Sequence, residues 1–172
     1  MEGNFYKNPI SVIWKAKSNL MPSYLFIIWM IFLFGSIIGV FWLNFIDFSS
    51  FKMEEYFSIS STGLTLTLAL FVAGKDAFRD EDLKKLASYE SDEVKKGQAL
   101  IDFIGPYVFT ALLFLITGLI SLFGPFVKTP LDPLYIKISK ICYINMLSLG
   151  ILSLFNLVIT MLNDVFSSAF RK

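Results

Sequence analysis

Residues 103–127 read FIGPYVFTALLFLITGLISLFGPFV, twenty-five consecutive positions without an Asp, Glu, Lys or Arg. A helix rises about 1.5 Å per residue and the hydrocarbon slab of a bilayer is about 30 Å thick, so roughly 20 apolar residues make one crossing. Three more runs meet the same test: 24–43, 57–74 and 141–163 are equally free of charged residues. They are rich in Phe with interspersed Gly, Ser and Thr, without the short alternating segments of a barrel, so helices are the way their backbone groups would be satisfied in lipid. The expected fold is therefore an all-α integral membrane protein: a four-transmembrane-helix bundle spanning at 23–44, 57–78, 100–127 and 138–165, with 1–172 as one membrane domain. A composition of 55% hydrophobic and 17% aromatic residues agrees with that class.

The polar flanks of these runs set the expected orientation. Lys7, Lys15, Lys17, Lys75, Arg79, Lys84, Lys85, Lys95, Lys96, Arg171 and Lys172 fall on one side, and Lys52, Lys128, Lys137 and Lys140 on the other. Eleven basic residues against four place both termini in the cytoplasm by the positive-inside rule. The acids gather on the same side and the formal net charge is only +1, which argues against a nucleic-acid-binding surface. More than twenty residues precede a first run of spanning length, so that run reads as a retained signal anchor, and the inner membrane of a prokaryote is the expected location. Cys142 is the one cysteine, so no intrachain disulfide can form. There is no His and no Walker A sequence, and the Ser residues of the spans have no neighbouring base. No catalytic, metal or cofactor site is expected, and the protein reads as non-enzymatic.

Asn8 and Pro9 suit an N-cap and a first helical residue, with Ile10, Ile13, Trp14, Leu20 and Met21 on one face after them. Residues 8–21 thus read as an interfacial amphipathic helix, with Lys15 and Lys17 among anionic headgroups and Trp14 at the boundary. Pro22 would mark the bend into the first span. The 79–99 connection is the sizeable polar stretch. Its Asp80, Glu81 and Asp82, followed by Lys84 and Lys85, fit the start of a helix, and Leu83, Leu86 and Ala87 would form one apolar stripe. That segment is either a solvated connector or, through Asp80, Glu81, Lys84, Lys85, Lys95 and Lys96, a docking site for a soluble cytoplasmic partner. Gly105 and Pro106 suggest a bend or restart in the third span.

Uncharged polar residues recur inside the spans. Ser58, Ser61, Thr62 and Thr65 form a hydroxyl stripe on the second; Thr110, Thr117 and Ser121 mark the third; Asn145, Ser148, Asn156, Thr160 and Asn163 share one side of the fourth. Amides facing hydrocarbon would lack partners, so these stripes should meet protein or water. Interhelical hydrogen bonding is one reading, and a water-filled path within or between protomers is the other. Gly35 and Gly39 form a small-xxx-small pair suited to close helix packing. One protomer of four helices leaves little room for a channel. The expected function is therefore a homo-oligomeric pore or channel-like assembly in the bilayer, with a membrane anchor or sensor for a soluble partner as the alternative. In architecture alone the chain is similar to small four-span membrane effectors of bacterial phage defence and to bacteriocin-immunity proteins. That likeness implies a membrane-perturbing role in antiviral defence or an immunity role, and no motif assigns either.

Overall fold

The computed structural model describes residues 8–43, 45–48, 51–77, 80–90, 96–127 and 132–170, and the backbone alone at 76, 77, 80–82, 165 and 167–169. Among them every regular element is helical: α1 (Pro9–Lys15), α2 (Ser23–Phe41), α3 (Phe57–Ala77), α4 (Asp80–Ser88), α5 (Gln98–Phe123) and α6 (Pro133–Phe170), with short 3-10 turns at Met53–Tyr56 and Gly124–Phe126. Four of these stretches, Ser23–Phe41, Met53–Lys75, Gln98–Phe126 and Pro133–Asp164, are long and apolar enough to cross a membrane, which makes the chain an all-helical, multi-pass membrane protein.

Local chemistry explains most of the boundaries. Asn8 adopts an extended conformation and its Oδ1 accepts from Ile10 N at 3.0 Å, with Pro9 preset for the first turn. The helix it starts ends at Lys15, well short of the expected residue 21. Pro22 is extended (φ −60°, ψ 145°) and separates α1 from α2. Gly97 has φ 82°, a left-handed conformation that a side chain would strain, and α5 starts directly after it. The last helix begins earlier than expected. Asp132 caps it, with Leu134 N donating to its Oδ1 at 3.3 Å, and Pro133 occupies the first position, so Lys137 and Lys140 belong to a helix and not to a loop. Without a breaker after Asn163, α6 continues to Phe170.

Helix α5 is the hub. It packs against α1, α3, α4 and α6; α3 and α6 also touch each other, whereas α2 touches α6 and no other helix among the described residues. In lipid the packing of helices gains little from the hydrophobic effect and rests on close contact, so glycine notches matter. Phe114 of α5, 1% exposed, seats its ring in such a notch: a Cβ on Gly63 of α3 would come 2.4 Å from that ring, and one on Gly150 of α6 would come 3.3 Å from it. Gly105 serves a second close approach. Ala16, fully buried just after α1, lies where a Cβ on Gly105 would come within 2.3 Å of it. The expected restart at Pro106 does not occur, since α5 runs continuously through it; Gly105 is the seat of α1 instead.

Candidate functional site: the intramembrane hydroxyls and amides

On α5, Thr110, Thr117 and Ser121 are all buried, and each ties the hub to another element. The Thr110 hydroxyl donates to Pro106 O at 2.8 Å and lies 2.5 Å from Ser153 Oγ on α6. A hydroxyl has one proton, so with its own on Pro106 O, Thr110 accepts from Ser153. By the same logic Thr117, which donates to Leu113 O at 2.9 Å, accepts from Ser60 of α3 at 3.1 Å. Ser121 donates to the carbonyl of Met53 and joins α5 to the turn before α3. These groups close the protomer interior with internal hydrogen bonds.

Helix α3 carries hydroxyls on two opposed arcs. Ser60 and Thr67 are buried at 0% and 1% exposure, together with Gly63, while Ser58, Ser61, Thr62 and Thr65 are exposed on the protomer surface. The expected stripe therefore faces outward, and the inward hydroxyls Ser60, Thr67 and, on α6, Ser153 are ones that sequence reasoning missed. Every third or fourth residue of α3 is small or hydroxylated, so periodicity alone could not tell the arcs apart. Thr65 satisfies its proton within the helix, donating to Ser61 O at 3.0 Å. Between α3 and α6 the outward arc borders a 290 Å³ groove lined by Ser58, Thr62, Leu66, Ile151 and Leu154, with Phe114 and Gly63 at its base.

The amides of α6 divide by depth. Asn145, 4% exposed, donates through Nδ2 to Ser36 Oγ of α2 at 2.9 Å and to Ile141 O at 2.8 Å, while its backbone carbonyl accepts from Trp29 Nε1 of α2 at 3.0 Å. Asn145 is thus the polar link that holds α2 to the bundle. Ser148 is half-buried and donates back to Asn145 O at 2.9 Å. Asn156 is 8% exposed, and its amide makes no hydrogen bond among the described residues. Thr160 and Asn163 are exposed, and Thr160 donates to Asn156 O at 2.9 Å.

The two glycines of α2 do not join it to another helix. A Cβ on Gly35 would meet nothing within 4 Å, and Gly39 is covered by Ile46 of the following loop, 2.8 Å from a Cβ placed there. At the end of the bundle that carries this loop, Phe51, Tyr56 and Tyr143 form an aromatic cluster. Lys140 closes it, donating to Phe48 O at 2.9 Å and lying 5.5 Å from the centre of the Phe51 ring. At the other end, Leu83, Leu86 and Ala87 of α4 are half-buried and Lys84, Lys85 and Lys96 are exposed. Lys95 and the side chains of Asp80 and Glu81 lie outside the described residues. Comparison with known protein families, with curated proteins and with solved structures finds no match for this chain.

Proposed function

We propose that the protein is a non-enzymatic, homo-oligomeric membrane pore in which α3 turns its outer hydroxyl arc toward a shared axis. One observation carries the reading: Ser58, Ser61, Thr62 and Thr65 are exposed on the protomer surface, opposite the arc that packs the core. Facing hydrocarbon, such hydroxyls have only carbonyls of their own helix as partners, as Thr65 has Ser61 O, whereas copies of the chain brought together along this arc would also offer them water or each other. With Phe114 filling the protomer and hydroxyl pairs closing it, a conducting path would run between protomers. An uncharged lining suits weakly selective ion leak. That leak would make the protein a membrane-perturbing effector in bacterial defence against phage, acting at the inner membrane with both termini in the cytoplasm.

The test combines oligomeric mass in nanodiscs with ion flux from liposomes, for the native chain and for Thr62→Leu, Thr65→Leu. An oligomer is expected whose flux falls at least about tenfold in the variant, since both positions would face the path and neither is in the core. A native chain that stays monomeric and leaks no faster than empty liposomes would overturn the pore.

A second reading draws on α4. Its apolar stripe is half-buried where it packs on α5, and Lys84, Lys85 and, further along, Lys96 are exposed. In that reading the protein is an anchor or sensor that recruits a soluble cytoplasmic partner, and copurification of the partner that survives Lys84→Glu, Lys85→Glu unchanged would reject it.

A further inference from the structure

Helix α3 is unbroken from Phe57 to Ala77, so the outward arc that carries Ser58, Ser61, Thr62 and Thr65 continues along its other half. Ser58, Thr65 and Val72 are seven residues apart and stand almost in line, with Leu68 and Ala69 to either side of that line. The opposite face stays inward over the same length. Thr67 is 1% exposed and donates to Gly63 O at 2.7 Å, the Phe71 ring meets Tyr107 of α5 edge-on at 5.5 Å, and a Cβ on Gly74 would come 3.1 Å from the Tyr107 hydroxyl. With its rotation held in this way, α3 turns Leu68 and Val72 out at 53% and 54% exposure, and Ala69 with them. The chemistry of the outward arc changes halfway. Up to Thr65 it is hydroxylated; from Leu66 to Ala73 every exposed side chain is apolar, and the next exposed polar one is Lys75. About 15 Å of helix between Thr65 and Lys75 thus presents no side chain that can hydrogen-bond to water.

Resting on the pore reading above, we infer that Leu68, Ala69 and Val72 are the gate of that pore, an apolar collar in series with the hydroxylated half. Around a shared axis these residues from each copy leave water in a narrow passage without partners for the hydrogen bonds it gives up, so the collar dries and hydrated ions are held back. The hydroxylated half stays wet, and the collar sets the rate of leak.

Ion flux from liposomes is compared at equal oligomer content, checked by mass in nanodiscs, for the native chain, Val72→Ser and Leu119→Ser. The last changes an exposed leucine of α5 and serves as the lipid-facing control. Val72→Ser should raise flux at least about tenfold by wetting the collar, and Leu119→Ser should leave it at the native level. Adding Thr62→Leu, Thr65→Leu to Val72→Ser should bring flux down again, because one path passes both zones. Val72→Thr keeps the shape of the native side chain and replaces Val72→Ser if that variant fails to assemble. A native oligomer whose flux falls in Thr62→Leu, Thr65→Leu but does not respond to either Val72 variant would overturn the gate and leave the pore standing. An equal rise in Val72→Ser and Leu119→Ser would also overturn the gate. Monomers that leak no faster than empty liposomes, native and variant alike, would overturn both.

Discussion

Asn145 and Asn156 stand three turns apart on one side of α6, and their sequence positions suggest equal roles. Their surroundings separate them. Asn145 uses both amide protons and bridges two helices, whereas Asn156 is buried with no hydrogen bond to its amide among the described residues. Removing a partnered amide leaves Ser36 without its donor and loosens α2, at a cost of about 1 to 2 kcal/mol in membrane proteins. Removing an unpartnered one gives up no hydrogen bond. Asn145→Leu should therefore lower the melting temperature in a given detergent, and Asn156→Leu should leave it unchanged or raise it. A fall of equal size in both would show that Asn156 has a partner of its own. Legibility at this scale was limited: an Asn in a span announces a need for a partner, but only neighbouring helices decide whether the need is met.

At the level of elements, the notch of Gly63 and Gly150 around Phe114 does for α3, α5 and α6 what Gly35 and Gly39 were expected to do for α2. Gly63→Val would drive its Cβ into a ring that is almost fully buried and has nowhere to turn. Overpacking of this kind costs typically about 1 to 3 kcal/mol. The expected result is a clear drop in thermal stability, partly restored when Phe114→Leu is added. If the double variant is as unstable as the sum of the two single ones, α3 and α5 do not meet at this contact. The small-xxx-small pair of α2 misled because a glycine pair marks where a close approach is allowed, while the short loop that follows α2 supplied Ile46 as the neighbour of Gly39.

For the whole molecule, the basic residues predict that the α4 end of the bundle is cytoplasmic and that the end capped by Phe51 and Lys140 is not. In a chain with Cys142→Ser, a cysteine introduced at Ser88 should stay unlabelled by a membrane-impermeant maleimide in intact cells and become labelled after lysis. One introduced at Lys52 should be labelled in both. The opposite pattern would invert the topology. The four spans, the Asn8 cap and the break at Pro22 were legible because each depends on residues adjacent in the chain: an apolar run crosses lipid whatever packs beside it, and a cap bonds within its own turn. By itself, then, the sequence determined the class, the number of spans and several of their ends. Which hydroxyls of α3 turn inward, that Gly105 receives Ala16, and that Asn145 holds α2 were decided only by the tertiary structure. A Ser or Thr can satisfy its proton on its own helix and so tolerates either side, which leaves the choice of buried arc to the fit of Phe114 against glycines on two other helices.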